Sequence, residues 1–331
     1  MIYKMSKPMQ FKIIAEEKFS LEPQDIDPAN PKLEEGEYLI RMEYAAINPS
    51  DFLFTKGLYA HAPPPVDSVT GFEGAGEVLK AGPGADESLV GRKVLVLSYS
   101  GVHCNYKIAK RDALTLLNED HYNKHSQTHF FINPVTVLGM LELVLERKAK
   151  AVIQNGAAAN TGRLFTVLCK RYGVPIINIV RSEEHRELMN KLGATDVLIR
   201  SHPDFEKHLK EAVKKYNIDF AFDCVSGEDT GLLVNNMPPG GTVMFYGVLS
   251  GKPVTGINPG ILLFNTVRLE GFHLVPSYLA HKPAGFAEGA LRQFYSDPID
   301  VYIETEEISL DKIESALESF ADKKKKYIVK F

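Results

Sequence analysis

The chain has 331 residues, of which 44% are hydrophobic and 24% charged, and its formal net charge is −4. At roughly 150 residues per domain this length predicts about two domains, and the composition is that of a globular rather than a disordered protein. The small negative charge gives no general attraction to nucleic acid or to an anionic membrane surface. No apolar run approaches the roughly 18 residues that a membrane-spanning helix needs. We therefore expect no nucleic-acid partner and no transmembrane segment.

The cysteines are too few and too far apart for a disulfide scaffold or a cysteine-rich zinc site. We expect them to be reduced and buried; they are Cys104, Cys169 and Cys224. The first ten residues contain Lys4 and Lys7 but no apolar core of signal-peptide length. They also contain no arginine, which weakens a mitochondrial transit peptide as an interpretation. The cytoplasm and the mitochondrial matrix both stay open as locations.

The first part of the chain is predicted to be a β domain. Residues Tyr38 to Ala46 alternate with the two-residue period of a half-buried strand, and Val94 to Leu97 form a short apolar strand candidate after Gly91. Prolines and glycines interrupt the surrounding sequence at short intervals. This pattern is typical of short strands in a compact, barrel-like domain.

From about Asn133 onward, predicted strands and helices alternate. Alternation at this interval predicts parallel strands with helical crossovers. The predicted elements are, in chain order, helix Val137 to Lys148, strand Ala151 to Gln154, helix Arg163 to Tyr172, strand Ile176 to Val180, helix Glu183 to Leu192, strand Val197 to Ile199, helix Asp204 to Tyr216, strand Asp219 to Phe222, strand Gly241 to Tyr246 and strand Arg268 to Leu274.

The C-terminal tail is predicted to form a helix followed by a strand. Ile313, Leu317 and Phe320 would line one face of the helix, and Tyr327 to Val329 would form the strand. The four lysines from Lys323 to Lys326 lie between the two elements. We expect these lysines to form a solvated turn.

Small residues follow the predicted strand that ends at Gln154. Ala158, Ala159 and Gly162 let the backbone turn tightly, and they let a pyrophosphate approach the amides at a helix N-terminus. Only Gly162 keeps its place in a G-x-G-x-x-G pattern. By itself the pattern is weak, so a purely structural strand–turn–helix remains the alternative.

The residues about 20 positions beyond the glycine loop are expected to contact the adenine ribose of a dinucleotide. Arg181 and Ser182 occupy that place. An acidic residue there would bind a free 2′-hydroxyl, whereas a cation and a hydroxyl suit a 2′-phosphate. The sequence therefore favours NADPH as the cofactor. The alternative is that Arg181 is an ordinary surface arginine.

Together these segments resemble the medium-chain dehydrogenase/reductase superfamily, in particular its zinc-free quinone oxidoreductases and 2-enoyl thioester reductases. The resemblance implies an α/β protein with two domains. A GroES-like β-barrel catalytic domain would span residues 1–132, completed by residues 276–331, and a Rossmann domain with a doubly wound parallel sheet would span residues 133–275. The matching stretches are EYAAINPSDFLFTKGLY (43–59), GFEGAGEVLKAGPG (71–84), INPVT (132–136), AVIQNGAAANTGR (151–163), LGATDVL (192–198), FAFDCVSG (220–227), GGTVMFYGVLSG (240–251) and KKYIVKF (325–331).

The resemblance also implies which chemistry is absent. Where the alcohol dehydrogenases of this superfamily carry a zinc-ligating cysteine, this chain has Asn48, and where they carry a zinc-ligating histidine before a glutamate, it has Phe72 before Glu73. We therefore expect no metal site. The zinc-free relatives reduce quinones or carbon–carbon double bonds conjugated to a carbonyl, with hydride from NADPH.

Roles for individual residues follow from the same resemblance. Tyr59 matches the tyrosine that acts as hydrogen-bond donor or proton source in the enoyl thioester reductases, although it could instead only pack in the wall of the site. Asn48 would lie beside the nicotinamide. For Asp223 a purely structural role at a strand end is an equal alternative. The predicted cofactor-binding residues are Thr136, Asn155, Ala158, Ala159, Asn160, Thr161, Gly162, Arg181, Ser182, Asp223, Tyr246 and Gly247.

We interpret the chain as an NADPH-dependent reductase of a quinone or an α,β-unsaturated carbonyl compound. One alternative is a mitochondrial 2-enoyl thioester reductase of fatty-acid synthesis. A second alternative is a catalytically retired accessory or assembly subunit, which the incomplete glycine loop allows. A homodimer formed through the edge of the Rossmann sheet is an expectation from the resemblance.

Overall fold

The computed structural model describes residues 7–15, 18–59, 66–98, 101–116, 131–283, 285–296, 304–318 and 326–331. The chain divides into two compact units. The first consists of Met1–Ile132, Leu291–Ser296 and Tyr302–Phe331, and the second of Asn133–Ala290 and Asp297–Val301. The domain limits given above as expectations, 1–132 with 276–331 and 133–275, stay a prediction.

The described residues form strands and helices throughout both units. The strands are β1 (Met9–Ala15), β2 (Lys18–Pro23), β3 (Glu37–Ala46), β4 (Glu73–Ala81), β5 (Lys93–Leu97), β6 (Tyr106–Lys110), β7 (Leu114–Leu116), β8 (Val152–Gln154), β9 (Ile176–Val180), β10 (Asp196–Ile199), β11 (Phe220–Asp223), β12 (Thr242–Phe245), β13 (Arg268–Gly271), β14 (Thr305–Ile308) and β15 (Lys326–Lys330). The helices are α1 (Pro49–Thr55), α2 (Ile132–Glu146), α3 (Asn160–Arg171), α4 (Arg186–Leu192), α5 (Phe205–Tyr216), α6 (Glu228–Asn236), α7 (Pro259–Phe264), α8 (Phe286–Ser296) and α9 (Ile313–Glu318). Among these helices, none is long and apolar enough to span a membrane.

The first unit is organised around the long strand β3. Strand β4 pairs with one edge of β3, and strands β6 and β15 pair with successive halves of the other edge, all antiparallel. The strand predicted for Tyr38 to Ala46 is confirmed, and Tyr38, Ile40 and Met42 belong to one buried cluster. Its predicted half-buried character is wrong, because Leu39 on the opposite face is also fully buried. Ile313 and Leu317 of α9 join the same cluster, as predicted.

The second unit contains a six-stranded parallel sheet with the order β10-β9-β8-β11-β12-β13. The chain starts in the middle at β8, runs outward to β10, returns to the other side of β8 at β11 and continues outward to β13. This is the doubly wound order of dinucleotide-binding domains, so the predicted fold class is confirmed. Ligands bind such sheets where the direction of winding reverses, at the carboxyl ends of the two central strands. Here those strands are β8 and β11.

The prediction of a solvated turn is wrong for Lys326. It is the first residue of β15, and its side chain is only 4% exposed. Strand β15 lies between β14 and β3 in the sheet, so neighbouring strands cover it on both edges. The other three lysines of the predicted turn lie outside the described residues.

Strands β3 and β4 approach each other closely at Gly76. A Cβ atom at this position would lie 2.2 Å from the carbonyl oxygen of Arg41 on β3, so the two backbones would have to separate. We expect Gly76→Ala to lower the free energy of unfolding by about 1–3 kcal/mol in urea titrations, the usual cost of overpacking. Gly271→Ala is the matched strand control, since a Cβ atom there would meet no neighbouring group within 4 Å. Equal effects of the two substitutions would contradict the steric explanation.

Candidate functional site

A cluster of buried polar side chains surrounds Asn48 in the first unit. Asn48 is the N-cap residue of α1, and its side-chain Nδ2 donates to Oε1 of Glu73 at 2.6 Å. The ammonium of Lys326 donates to Asn48 Oδ1 at 3.3 Å. All three side chains are at most 4% exposed. The structure thus places a buried cation and a buried carboxylate at the two ends of one side-chain amide.

The second oxygen of Glu73 is also used. Its Oε2 accepts hydrogen bonds from the backbone N–H groups of Phe131 at 2.8 Å and Ile132 at 2.7 Å. A buried carboxylate is tolerated only when such donors or a cation compensate for lost hydration. Glu73 therefore joins the start of β4, the N-cap of α1 and the segment at which the first unit ends.

Asp51 adds a second buried carboxyl group to the cluster. It is 1% exposed, and its Oδ2 accepts the backbone N–H of Asn48 at 2.7 Å. Burial raises the pKa of Asp51 to about 7, and the charge of Glu73 acts in the same direction. Burial lowers the pKa of Lys326, while the negative charges of Glu73 and Asp51 raise it again. With Asp51 protonated, the charges of Glu73 and Lys326 balance.

Tyr59 belongs to a group of three aromatic residues, one of which is the sequence neighbour of Glu73. Its half-buried ring packs on Phe72 with 5.1 Å between ring centroids, and Phe54 packs on Phe72 edge-on at 5.3 Å. Phe72 directly precedes Glu73. The ring contact agrees with a place in the wall of a site, and the chemical role of the Tyr59 hydroxyl stays a prediction.

The residues present at the expected metal positions do not fit a zinc ion. The oxygen of Asn48 already accepts a hydrogen bond from an ammonium group, and Phe72 offers no ligand atom. Across the described parts of the chain, no group of three or more histidine, cysteine or acidic side chains is arranged to hold a metal. The chemistry that these residues support therefore does not involve zinc.

The cofactor residues predicted from the sequence lie in the second unit, and half of them are on the loop between β8 and α3 or in the first turn of α3. Gly156 has a φ of 57°, and a Cβ there would lie 2.3 Å from the sulfur of Cys224. A Cβ at Gly162 would lie 2.6 Å from the carbonyl oxygen of Ala157. Both glycines are therefore sterically required, whereas the sequence pattern pointed to Gly162 alone.

The first turn of α3 is well suited to an anionic ligand. Its N-cap residue, Ala159, has no side-chain atom that could bond to the amides of the first turn. These amides belong to Asn160, Thr161 and Gly162, three of the predicted phosphate-binding residues. A helix N-terminus of this kind binds phosphate through its N–H groups and its dipole. The loop therefore fits the pyrophosphate of a dinucleotide.

Hydrogen bonds among buried side chains stabilise the loop between β8 and α3. Nε2 of Gln154 at the end of β8 lies 2.9 Å from the carbonyl oxygen of Gly162, 3.0 Å from Thr166 Oγ1 and 2.7 Å from Asn178 Oδ1. Gln154, Thr166 and Asn178 are fully buried. Gln154 thus ties the beginning of α3 to the neighbouring strands β8 and β9.

Asn155 and Asp223 are brought together across the two central strands. Nδ2 of Asn155 donates to Asp223 Oδ1 at 2.6 Å, and Oδ1 of Asn155 accepts the backbone N–H of Cys224 at 2.9 Å. Asp223 is completely buried, and it also accepts from the backbone N–H groups of Val225 and Ser226. These contacts support a structural role for Asp223, which joins the loops after β8 and β11.

The remaining cofactor candidates surround the same end of the sheet or lie on α2. Tyr246 and Gly247 follow β12, and Gly247 lies so close to Cys224 that a Cβ would be 3.0 Å from its carbonyl oxygen. Burial raises the pKa of Tyr246 well above its ordinary value, so its hydroxyl stays protonated. Thr136 is buried in the first turns of α2. Thr161 donates to the side chain of Asn133 at 3.1 Å.

Arg181 and Ser182 directly follow β9. Arg181 is exposed, and Ser182 is the half-buried N-cap of a short 3₁₀ turn, Glu183–His185, that precedes α4. The sequence predicts one helix here, and the structure divides it into this turn and α4. The carboxylate of Glu183 pairs with Arg186 of α4. That ion pair partly neutralises the charge of Glu183 close to Arg181 in the sequence.

The sequence analysis missed Lys326 and Asp51 as members of the polar cluster. One signal for Lys326 was available, because a two-residue period places it on the same face of β15 as Ile328, which is 3% exposed. That signal was ambiguous, since Lys330 has the same parity and is exposed. For Asp51 the spacing Asn48-x-x-Asp51 at a helix start indicates an N-terminal cap but not burial.

Two family models match the chain. The model described as alcohol dehydrogenase GroES-like domain matches residues 34–131, and the one described as zinc-binding dehydrogenase matches residues 161–286. The mitochondrial enoyl-[acyl-carrier-protein] reductase of Arabidopsis thaliana is 30% identical over 250 residues, which cover 73% of this chain. The aligned region spans 66% of the length of that reductase.

Solved structures share the fold over the whole chain. The quinone oxidoreductase of Pseudomonas syringae pv. Tomato DC3000 superimposes with a TM-score of 0.80 at 21% identity, covering 98% of this chain and 100% of the other. The Etr1p/NADP/crotonyl-CoA complex superimposes with a TM-score of 0.80 at 20% identity, covering 98% and 99%. At these identities the likeness establishes the fold alone.

The raised pKa of Asp51 predicts a pH-dependent stability. Because the pKa rises from 3.8 to about 7 on folding, the folded state favours the protonated carboxyl. The stability gained from protonation is complete below pH 4 and is lost as the pH rises towards 7, by up to about 4 kcal/mol. Asp51→Asn mimics the protonated group, so its stability relative to the wild type should increase over this range in urea titrations. Asp112→Asn, an exposed control, should not change the profile; a flat difference for Asp51→Asn would refute the expectation.

Proposed function

Because the chain belongs to the medium-chain dehydrogenase/reductase superfamily, we propose that it is an NADPH-dependent, zinc-independent reductase of quinones or α,β-unsaturated carbonyl compounds. The observation that carries the proposal is a hydrogen bond. The side-chain oxygen of Asn48, at a position where zinc-dependent relatives have a ligand, accepts it from the ammonium of Lys326, which cannot ligate a metal. Reduction of a quinone or a conjugated double bond needs no Lewis acid on the alcohol or carbonyl, so this chemistry matches the residues present.

The second unit contributes the residues that bind the dinucleotide in this proposal. When bound, NADPH supplies the hydride. The amides of Asn160, Thr161 and Gly162 bind the pyrophosphate at the start of α3. Arg181 and Ser182 bind the 2′-phosphate, as an arginine and a hydroxyl can do through charge-assisted hydrogen bonds. Asn155 and Asp223 hold the loops around this site in place.

The first unit contributes the residues that act on the acceptor. The Tyr59 hydroxyl donates a hydrogen bond to the acceptor oxygen, where negative charge develops as the hydride arrives at the β-carbon or the quinone ring. A neutral phenol can make this donation at physiological pH. Asn48 is the other residue of this unit with a proposed role in the reaction. The final proton reaches the product from Tyr59 or from water.

A panel of NADPH oxidation assays tests this function. The acceptors are 1,4-naphthoquinone, a 2-alkenal and crotonyl-coenzyme A, each followed by the loss of absorbance of NADPH. Turnover of the quinone or the alkenal supports the main proposal. Turnover of crotonyl-coenzyme A alone identifies a 2-enoyl thioester reductase, an alternative that the similarity to the Arabidopsis enoyl reductase favours. NADPH binding measured by calorimetry without any turnover would indicate a retired accessory subunit.

Partner and location are also part of the proposal. Strand β13 is an edge strand of the six-stranded sheet, and Leu263 and Phe264, which shortly precede it in the chain, are 70% and 81% exposed. An uncovered sheet edge and an exposed apolar pair support a homodimer, which light scattering of the purified chain would detect. Of the cytoplasm and the mitochondrial matrix, the name of the Arabidopsis relative supports the matrix.

Replacement of Tyr59 by Phe tests the role of its hydroxyl. If this hydroxyl stabilises the reduced acceptor, Tyr59→Phe should lower kcat by about 10- to 1,000-fold, the scale of removing one oxyanion donor or proton source. The Kd for NADPH should change little, because the hydroxyl acts on the acceptor. Tyr172→Phe serves as the exposed control. An unaltered kcat on every accepted substrate would leave Tyr59 as part of the wall of the site.

Replacement of Arg181 by Ala tests the choice of cofactor. Charge-assisted hydrogen bonds from the guanidinium to a 2′-phosphate are worth roughly 1.5–3 kcal/mol, equivalent to a preference for NADPH over NADH of about 10- to 150-fold. Arg181→Ala should raise KM for NADPH by that factor and leave KM for NADH nearly unchanged. Arg171→Ala is an exposed arginine control. Equal weakening of both cofactors would show that Arg181 does not bind the 2′-phosphate.

A further inference from the structure

Lys326 is a buried cation to which the sequence pattern assigned no function. Its side chain is 4% exposed, and its ammonium donates to Asn48 Oδ1 at 3.3 Å. The acidic side chains that face it are those of Glu73 and Asp51. Lysine is almost never fully buried unless it is paired, because burial removes its hydration. The environment of Lys326 therefore indicates a specific requirement for a positive charge at this point.

The arrangement allows only one orientation of the Asn48 amide. Its Oδ1 faces the ammonium of Lys326, and its Nδ2 faces the carboxylate of Glu73 at 2.6 Å. A flipped amide would place an N–H group against the ammonium and an oxygen against the carboxylate. Both contacts would be repulsive, and both groups are in a region where low solvent access strengthens electrostatic interactions.

The two groups that orient Asn48 are themselves held in place. Glu73 receives two backbone N–H groups, from Phe131 and Ile132, on its other oxygen. Lys326 is held by β15, which pairs with β3 through the register Ile328–Ala46. Ala46 is only two residues before Asn48. The orienting charges and the amide are therefore tied to the same part of one sheet.

We propose that Lys326 is a positioning residue for the reaction: its ammonium orients and polarises the Asn48 amide, so that the remaining Nδ2–H of Asn48 is presented to the bound reactants. Hydrogen bonding from a cation to the amide oxygen draws electron density from the nitrogen and strengthens its N–H as a donor. The chemical step itself rests on the reductase function proposed above. Lys326 acts on it only through Asn48.

Lys326→Met tests the proposal by removing the charge while keeping much of the length. We expect kcat for the accepted acceptor to fall by about 10- to 100-fold, the scale expected for a misplaced catalytic group. The Kd for NADPH should stay within about twofold, because the residues assigned to the dinucleotide lie in the second unit. Lys326→Arg keeps the charge and should retain more activity than Lys326→Met. Lys330→Met, on the same strand and in a surface pair with Glu307, is the matched control. An unchanged kcat in Lys326→Met would overturn the proposal.

A double variant separates positioning from charge balance. Removing Lys326 alone leaves the Glu73 carboxylate buried and unpaired, which can destabilise the fold. Glu73→Gln combined with Lys326→Met removes both charges, so stability measured by urea unfolding should recover. Because Glu73→Gln by itself turns an N–H group towards Asn48 Nδ2, the single variant Glu73→Gln is the reference. If Lys326 orients Asn48, kcat should be lower in the double variant than in Glu73→Gln. Recovery of kcat together with stability would show that Lys326 only compensates for the buried carboxylate, and would overturn the proposal.

A spectroscopic measurement keeps this test independent of the reductase function. The protein is labelled with ¹⁵N-asparagine, and the side-chain amide signals of Asn48 are assigned by their loss in Asn48→Ser. Lys326→Met should shift these signals, whereas Lys330→Met should not. Unshifted signals would overturn the proposal even if the enzyme is active. Shifted signals in a protein that reduces none of the acceptors would refute the proposed function and retain Lys326 as the group that orients Asn48.

Discussion

The candidate site of the first unit depends on the hydrogen bonds and the charge of the buried Glu73 carboxylate. It accepts hydrogen bonds from the side chain of Asn48 and from the backbone of Phe131 and Ile132. It also provides the negative charge that makes a buried ammonium at Lys326 tolerable. Because an unpaired buried charge is far more costly than a paired one, these groups constrain one another. Replacing any one of them changes the electrostatic environment of the others.

This arrangement explains why the chain can belong to a superfamily with zinc-dependent members and yet favour a different reaction. A zinc ion with an open coordination position can bind and polarise a substrate oxygen directly. The ammonium of Lys326 is buried and donates to Asn48, and in the proposed reaction it acts through that amide. Hydrogen bonding is sufficient to stabilise an enolate-like charge, whereas direct oxidation of an alcohol is better served by a Lewis acid.

The second unit uses buried polar groups in a related way. Gln154 ends the central strand β8 and Asn155 directly follows it. Their side chains bind the start of α3 and the carboxylate of Asp223. The amides that could contact a phosphate remain outside this network. Buried, hydrogen-bonded side chains thus hold the loop backbone in shape without competing for the ligand. In both units, a residue that the sequence suggests as a ligand-binding group forms such bonds. In the first unit they fix the side chain of Asn48, and in the second the side chain of Asn155 fixes the neighbouring loop.

The sequence by itself determined the fold class and most of the elements of the second unit. The strand Ile176–Val180 has the limits that its apolar run predicts, because a short buried strand between turn residues carries its signal locally. Gly162 was likewise recognisable, since a tight strand-to-helix turn demands a small residue. Lys326 was not, because four consecutive lysines locally indicate a solvated turn. Its contact with Asn48 joins residues 278 positions apart, and it exists because β15 pairs with β3. Which strand covers a side chain, and which charge it then meets, depends on strand pairing over long sequence distances, so only the tertiary structure decided it.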